Sequence, residues 1–417
     1  MKAQGRRPHG LTPIALLALA LCASGARADE PRMPKFSFNG FGTLGLVHSS
    51  EKLADFTSTL TRPSGAGYTH AWSADVDSRI GVQLSAEFTP GLSAILQVIS
   101  EQNYDDSYRP HVEWANIRYQ FAPNFSIRAG RVVLPSSLVA DYRKVGYAIA
   151  WVRPPVELYG MVPVTNSDGV DVNYRVRFGD LTNTLRGTYG KSKPKFPRMG
   201  AVKGKDVWSL SYAGEYGAAT VQLTYVKAKV TLEGLRPLFD GFRQFGLEGV
   251  ALANKYDVNN KPFEFIGLGA MYDPGRWFVM GEWRSGDTRS VFGKRTAWYA
   301  SGGYRIGKFT PYLVYAKAKA NSNTSDPALT LSALPPPLAG AAAGLNAGLN
   351  AILESIPVQK TLSVGLRWDL AKNAALKMQL DHSRVGADSR GTLVNIQPGF
   401  QPGGRFTVFS ATLDFVF

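Results

Sequence analysis

The sequence predicts an all-β fold, namely a transmembrane antiparallel β-barrel of about sixteen strands. Segments of about ten residues alternate apolar and polar side chains, which is the period of a strand with one apolar face. Very short and long connections follow one another along the chain, and Tyr, Trp and Phe gather near segment ends. Short turns at one rim, long loops at the other and aromatic girdles are typical of barrels that cross a lipid bilayer.

Residues 1–28 have the layout of a secretory signal peptide. Basic residues precede a short apolar run, LTPIALLALALCASG, and the small-x-small sequence Ala26-Arg27-Ala28 follows it. We expect cleavage after Ala28, which leaves residues 29–417 as one barrel domain. A lipoprotein anchor at Cys22 is the alternative, but the bulky Leu21 stands where a small residue is wanted.

The totals narrow the class further. Cys22 is the only cysteine, so the domain that enters the oxidising compartment has no disulfides. The formal charge of +15 falls to about +11 when four basic residues leave with the signal peptide (15 − 4 = 11), and such a balance favours anionic partners. After the signal peptide, no apolar stretch of about 18 residues remains, so the sequence predicts no helical membrane span.

Seven predicted hairpins supply fourteen strands. In chain order they are SRIGVQLSAEF with LSAILQVISEQ, HVEWANIRYQF with FSIRAGRV, DGVDVNYRVRF with LTNTLRGTYG, DVWSLSYAGEY with ATVQLTYVKAK, FEFIGLGAMY with RWFVMGEWRSG, RTAWYASGGYRI with FTPYLVYAKAKA, and TLSVGLRWDL with AALKMQLDHSRV. Their turns carry the residues that tight hairpins need, such as Pro90-Gly91 and Gly179-Asp180. An opening strand, FSFNGFGTLGLV, and a closing strand, GRFTVFSATLDFVF, bring the number to about sixteen.

Eight longer connections separate these elements, near residues 48–77, 102–110, 132–167, 191–205, 230–260, 286–294, 320–357 and 386–403. Eighteen strands stay an open alternative, if the first or the fifth of these connections contains a further hairpin. In the seventh, AAAGLNAGLNAILES predicts a short apolar helix, although its glycines disfavour one. Whether this connection covers the mouth, contacts a neighbouring subunit or is mobile stays open.

The alternation indicates which face of each strand meets lipid. In DGVDVNYRVRF a row that includes Val170 opposes a row that includes Asp171 and Arg175. Sixteen strands with their apolar rows inward would enclose a very wide dry core. If the same rows face outward, their apolar side chains contact lipid and no such core is needed. An open edge in lipid leaves backbone groups unpaired, so the closing strand must pair with the first. Phe415 and Phe417 then lie at the periplasmic boundary of the membrane and close the barrel.

Three stretches resemble one family. SRIGVQLSAEFTPGLSAILQVISEQ resembles the second hairpin region of Gram-negative outer-membrane porins of the general diffusion type. FSFNGFGTLGLV resembles their first strand, and the closing strand that ends in Phe417 resembles their closing strand and assembly signal. The resemblance implies a sixteen-stranded pore, a third extracellular loop folded into the lumen and usually a trimer. The third-loop motif Pro-Glu-Phe-Gly-Gly of that family is absent here, so its detailed constriction geometry is not implied.

The third long connection, residues 132–167, is rich in apolar residues such as Trp151, Leu158 and Met161. Such apolar side chains are not expected in an external loop that is surrounded by water. Packing of this loop against the inner wall of the barrel explains them, and packing of an external loop on its neighbours or on a partner subunit is the alternative.

The candidate constriction is basic. Arg118, Arg128, Arg175 and Arg186 fall on the inward rows of four consecutive strands, roughly 10–15 Å above the periplasmic turns. The remaining candidate constriction residues are Arg177, Asp141 and Glu157, and the other candidate lining residues are Arg79, Glu101, Asp171, Glu215, Arg367, Asp369 and Asp381. One interpretation is a transverse field between a basic wall and an acidic loop. The other is a wet wall that tolerates any polar residue.

The sequence predicts no catalytic residues, metal site or cofactor. After the signal peptide the histidines are His48, His70, His111 and His382, and none lies at metal-ligand spacing from another. We therefore expect a passive, water-filled channel for small hydrophilic solutes and ions that weakly favours anions. A substrate-specific channel for an anionic nutrient and a structural or adhesive barrel are the alternatives.

The resemblance also implies the surroundings of the protein. These are the Gram-negative outer membrane with its lipid and lipopolysaccharide, a homotrimer, and recognition of the C-terminal strand by the outer-membrane assembly machinery. Nucleic acid is not among the expected partners.

Overall fold

The computed structural model describes residues 33–197 and 200–417, so the predicted signal peptide lies outside the described residues. Sixteen long strands form one antiparallel sheet that closes on itself. In chain order they are β1 (Lys35–Ser49), β2 (Arg79–Thr89), β3 (Leu92–Glu101), β4 (His111–Ala122), β5 (Phe125–Val133), β6 (Asn166–Phe178), β7 (Leu181–Ser192), β8 (Gly200–Tyr216), β9 (Ala219–Leu232), β10 (Lys261–Tyr272), β11 (Trp277–Asp287), β12 (Lys294–Tyr304), β13 (Phe309–Ala320), β14 (Gln359–Ala371), β15 (Ala374–Val385) and β16 (Arg405–Val416). The predicted β-barrel is confirmed.

The barrel closes between its first and last strands. Strand β1 pairs with β2 on one side and with β16 on the other, in a register that runs from Phe41 opposite Val416 to Ser49 opposite Val408. The ladder continues to the last residue, since the Gly40 amide donates to the Phe417 carbonyl oxygen at 2.8 Å. Every backbone edge of the barrel is thereby paired, as a structure in lipid requires.

Apolar side chains cover the outside of the barrel. Leu44, Ile117, Leu223 and Val364, which lie on four different strands, are all exposed. The large residues two positions further along the same strands, Leu46, Tyr119, Tyr225 and Leu366, are exposed as well. Alternation places Thr43 and Ser363 on the opposite, inward face, where they are buried. Lipid is the solvent that suits such an outer surface, and the strands span the membrane with their short turns at the periplasmic rim.

The long connections follow the predicted pattern, with one boundary to correct. The first, residues 50–78, contains only two-residue pairings in its described structure, and the fifth, 233–260, contains helices, so the number of long strands is sixteen rather than eighteen. The region 191–205 was predicted as a loop, but β7 continues to Ser192 and β8 begins at Gly200. A bulge between Lys205 and Trp208 interrupts the alternation of β8, and this hides the beginning of the strand from a pattern-based prediction.

Helices occur in the third, fifth and seventh connections. They are α1 (Val156–Tyr159), α2 (Arg236–Arg243), α3 (Gly246–Tyr256) and α4 (Pro336–Leu353), and α4 confirms the helix predicted there. Phe239 and Phe242 of α2 pack with Leu349 and Leu353 of α4 in one apolar cluster at the extracellular end. The seventh connection therefore packs on the fifth within the same chain. None of the helices in the described residues has the length and apolar character to cross a membrane.

Candidate functional site in the barrel lumen

The third connection, residues 134–165, folds into the lumen and reaches the opposite wall. The indole Nε1 of Trp151 donates to Ser301 Oγ of β12 at 2.8 Å. The Tyr147 hydroxyl donates to the Lys372 carbonyl oxygen, in the periplasmic turn between β14 and β15, at 2.6 Å. The loop therefore folds into the lumen, as predicted. It runs from the extracellular rim down to the periplasmic side and narrows the lumen.

An apolar interface holds this loop against one sector of the wall. Trp151, Leu158 and Met161 of the loop belong to one buried cluster with inward residues of β8 to β13. The wall side of this cluster consists of Val207, Val226, Ala228, Phe265, Phe278, Met280, Ala297, Tyr299, Tyr312, Val314, Ala316 and Ala318. The inward rows are therefore apolar in this sector, because the loop and not water covers the wall there.

Arg153 of the loop is the main ionic anchor. It is 4% exposed, and its guanidinium Nε donates to Asp77 Oδ1 at 2.9 Å while Nη1 lies 3.3 Å from Asp381 Oδ2. Burial alone would raise the pKa of Asp77, but the charge and hydrogen bond of Arg153 outweigh it and hold that pKa below its ordinary value. Asp381 was predicted to line the pore. The structure corrects this, because Asp381 is buried beneath the loop.

Lys377 of β15 is a second anchor. Its ammonium donates to the Gly146 and Trp151 carbonyl oxygens at 2.6 and 2.9 Å, and it lies 2.9 Å from Asp414 Oδ2 of β16. Lys377 and Asp414 are both completely buried, so this pair fixes the turn of the loop where it meets the wall.

Glu157 of α1 was predicted as an acid at the constriction, and the structure corrects this too. The side chain is 3% exposed and points to β14, where its Oε1 accepts hydrogen bonds from Gln359 Nε2 at 2.7 Å and from the Thr361 hydroxyl. Burial raises the pKa of Glu157 above its ordinary value. The residue anchors the loop and does not face the water of the lumen.

The predicted basic strip lies on β4 to β7. Arg118 is directly opposite Arg128, which is directly opposite Asp171. Arg128 Nε donates to Asp171 Oδ1 at 2.7 Å, and Arg186 Nε donates to the other oxygen of this completely buried carboxylate. One carboxylate therefore serves two arginines. Arg118 forms no salt bridge with any residue that the structure describes.

The members of this strip differ in their access to water. Arg118 and Arg175 are exposed and Arg128 is partly exposed, whereas Arg186 is only 7% exposed because the loop covers it. Arg175 Nη2 is paired with Glu215 Oε2 at 3.2 Å. These arginines, and not Arg186, form the accessible basic surface of the inner wall.

Arg177 and Asp141 were also predicted at the constriction. Arg177 folds onto the periplasmic turn, where its Nε donates to the Gly179 carbonyl oxygen at 2.8 Å, so it lies at the rim and not at the constriction. Asp141 is exposed on the loop, with Oδ1 3.3 Å from Arg186 Nη1.

The remaining predicted lining residues lie in ion-pair networks. Glu101 accepts from Lys144 of the loop at 2.6 Å and lies 4.0 Å from Arg79. Arg367 Nε is paired with Asp369 Oδ1 at 2.8 Å, and its Nη1 donates to the Tyr147 carbonyl oxygen. The loop thus brings basic as well as acidic side chains to the wall, and the simple picture of an acidic loop opposite a basic wall does not describe it.

Sequence reasoning missed a buried polar group on the wall under the loop. Glu282 of β11 accepts from the hydroxyls of Tyr159 and Tyr299, at 2.5 and 2.8 Å, and Arg284 donates to the Ser136 and Leu158 carbonyl oxygens. The signal was present, because both charges fall on the inward row of β11 at mid-strand. In the described structure, no group of three or more His, Cys, Asp or Glu side chains is arranged to hold a metal ion.

Comparison with known proteins identifies the architecture. A family model described as Gram-negative porin matches residues 15–388. The curated proteins contain no match to this chain.

Several solved structures share the fold at low sequence identity. The anion-selective porin from Comamonas acidovorans is 13% identical at a TM-score of 0.53, with 92% of this chain and 100% of that chain covered. OmpF of Salmonella typhi in complex with daunomycin is 12% identical at a TM-score of 0.54, with 92% and 98% covered. The trimer form of OmpT, an outer membrane protein of Vibrio cholerae, is 10% identical at a TM-score of 0.50, with 93% and 100% covered. The chain belongs to the Gram-negative porin family, and its closed barrel of sixteen strands is a channel of the outer membrane.

Proposed function

We propose that this porin passes small hydrophilic solutes and ions by passive diffusion and weakly favours anions. The observation that carries the proposal is the charge of the inner wall beside the loop. Asp171 and Asp141 together offset Arg128 and Arg186, whereas Arg118 is exposed without a salt bridge to any described residue. The strip therefore keeps an uncompensated positive charge next to the water-filled path.

The size of the effect follows from screening. A positive charge in a narrow lumen attracts anions and repels cations, but the Debye length is about 10 Å at 0.1 M salt. Paired neighbours such as Arg175 and Glu215 add little net charge. We therefore expect a modest preference for anions over cations, as in a diffusion channel. A channel for one anionic nutrient would need a longer row of basic residues along the lumen. The Comamonas porin is named anion-selective, so the same architecture is compatible with such a preference.

The test is the reversal potential of the refolded protein in a planar bilayer under a potassium chloride gradient. A steady current whose reversal potential has the sign of chloride preference supports the proposal. A cation preference contradicts the role of the arginine strip, and the absence of any steady current favours a structural or adhesive barrel instead.

We further propose that lipopolysaccharide is a partner of the outer surface near the extracellular rim. Lys317, Lys360, Arg384 and Arg405 lie directly opposite one another on β13 to β16, all exposed and all on the outward row. Like charges in direct cross-strand positions destabilise a sheet unless an anion lies between them. Phosphate groups of an outer-leaflet lipid have the required charge and position.

This lipid proposal is tested by thermal unfolding in detergent with and without lipopolysaccharide. We expect lipopolysaccharide to raise the Tm of the wild type more than that of Lys360→Ser combined with Arg384→Ser. Lys227→Ser is the matched control, because Lys227 already has a carboxylate partner, with its Nζ 3.3 Å from Glu264 Oε1. Equal shifts in all three proteins would contradict the assignment.

We also propose a homotrimer, a signal peptide of residues 1–28 that is cleaved after export, and recognition of the closing strand by the assembly machinery. The trimer is supported by the family and by the trimer form of the Vibrio protein with the same fold. Chemical crosslinking in the native membrane tests it, and a product of single-chain mass alone would contradict it. N-terminal sequencing of the mature protein tests the cleavage site.

A further inference from the structure

A cavity of about 380 Å³ lies in the extracellular half of the lumen, above the third loop. Met161 and Val162 of that loop form its floor, Val226 and Val230 on the inward row of β9 form part of its wall, and Phe196 from the fourth connection closes one side. A wall of this kind is unusual for a path that serves hydrophilic solutes, because it offers them few hydrogen-bonding partners. Its size falls within the usual range of small-molecule sites.

The charges around the cavity all have one sign. Arg62, Lys261, Arg295 and Arg390 line it, and none of the described lining residues is an aspartate or a glutamate. Arg62 is paired with Glu101 and Lys261 with Asp257, each at 3.1 Å, and neither carboxylate lines the cavity.

Arg295 and Arg390 have no such partner. Neither forms a salt bridge with any residue in the described ranges, and Arg295 donates one hydrogen bond, to the Met161 carbonyl oxygen at 3.2 Å. Burial lowers the pKa of Arg390, which lies in the last connection, from its ordinary value, and the charge of Glu354, which is not at salt-bridge distance, only partly opposes this. Both side chains are partly buried, and a partly buried guanidinium with free donors is stabilised by an anion that can accept from it.

We propose that this cavity is a binding site for small carboxylates with an apolar body, such as aryl-substituted short-chain acids. The apolar wall takes the hydrocarbon part, and Arg390 and Arg295 take the carboxylate. Neither feature alone selects this class, because a simple inorganic anion gains nothing from the apolar wall and a neutral hydrocarbon gains nothing from the arginines. The site concentrates such solutes at the extracellular entrance before they reach the constriction.

This site is independent of the arginine strip, since Arg118 and Arg128 do not line the cavity. A channel without ion selectivity can still bind these acids, and an anion-favouring channel can fail to do so. The reversal-potential experiment and the binding experiment therefore fail separately.

The test compares three probes by single-channel recording and by isothermal titration calorimetry of the full-length mature protein in detergent. The probes are 3-phenylpropionate, its neutral analogue 3-phenylpropanol, and propionate, which lacks the ring. We expect 3-phenylpropionate to interrupt the current in a concentration-dependent way and to bind at least about tenfold more tightly than either analogue.

Variants assign the binding to this cavity. Arg390→Gln is expected to weaken 3-phenylpropionate binding about tenfold, and Val230→Thr, which keeps the side-chain shape and adds a hydroxyl, about threefold. Arg109→Gln is the matched control, because Arg109 is an exposed arginine in the second connection and does not line the cavity. The heat-dependent shift of the barrel in gel electrophoresis shows that each variant is folded.

Three results would overturn the proposal. They are equal binding of the acid and the alcohol, no binding of 3-phenylpropionate at millimolar concentration, and unchanged binding in folded Arg390→Gln and Val230→Thr.

Discussion

The guanidinium of Arg153 donates two hydrogen bonds to the carboxylate of Asp77, although the two residues lie 76 positions apart in the sequence. Arg153 belongs to the loop that fills part of the lumen, and Asp77 belongs to the first extracellular connection. Both side chains are almost completely buried. This pair ties the inner loop to the rim of the barrel at a point where neither charge can be hydrated.

Replacing Arg153 with alanine is expected to destabilise the docked loop by about 3–5 kcal/mol, because it leaves Asp77 and Asp381 buried without their shared cation. The barrel itself, closed by its backbone ladder, should remain folded. Single-channel recordings should therefore show a noisier current with a wider range of conductance levels. Arg109→Ala, which removes an exposed arginine, should leave the trace unchanged. If the current of Arg153→Ala is as quiet as that of the wild type, the apolar interface alone holds the loop.

Replacing Arg118 with serine should lower the permeability ratio of chloride to potassium about twofold at 0.1 M salt. This is the size of effect expected when one screened positive charge beside the ion path is removed. Lys317→Ser is the control, since it removes the same charge from the outward row of β13. Reversal potentials in a salt gradient measure both. Equal shifts in the two variants would mean that net charge, and not the wall of the lumen, sets the selectivity.

Glu157→Gln should change the pH dependence of stability. Burial raises the pKa of Glu157 above its ordinary value of 4.5, so the wild type holds its proton more tightly when folded than when unfolded. The stability that this group contributes is present below pH 4.5 and is lost as the pH rises through the folded pKa. The Tm of Glu157→Gln minus that of the wild type should therefore grow as the pH rises above 4.5. A difference that stays constant from pH 4 to 8 would contradict the raised pKa.

The barrel could be predicted from the sequence because its determinants are local. A strand such as β6 shows its two faces within a dozen residues, and the turn residues beside it fix where the hairpin ends. The length and apolar content of the third connection likewise indicated a loop that packs inward. These features require no knowledge of distant partners.

The lumen was harder to predict because its contacts join distant parts of the chain. The sequence positions of Arg153, Asp77 and Asp381 do not show that these side chains contact one another. The residues around Glu157 in the sequence likewise do not show whether its carboxylate faces water or the wall. Besides the charges on the inward row of β11, a second signal was available in β10. In FIGLGAMY, residues 265–272, both rows are apolar, with Phe265 inward and Ile266 outward. A transmembrane strand that is apolar on both faces marks where a loop covers the wall.

Gly40 is expected to be essential for closing the barrel. A Cβ atom at this position would overlap the ring of Phe417, which lies across the glycine on the outward face. Gly40→Val should therefore disfavour the pairing of β1 with β16, at a cost of about 1–3 kcal/mol. The fraction of protein that runs as the compact, heat-modifiable band in gel electrophoresis after refolding measures this.

Gly187→Val is the matched control, because Gly187 lies on the outward row of β7 and the nearest neighbouring atom to a Cβ there is the Ser209 carbonyl oxygen, 4.0 Å away. It should refold like the wild type. If the clash with the ring is the cause, removing the ring in Gly40→Val combined with Phe417→Ala should restore part of the lost yield. A Gly40→Val protein that refolds fully, or a double variant that refolds less well than Gly40→Val alone, would show that the Phe417 ring does not control closure through Gly40.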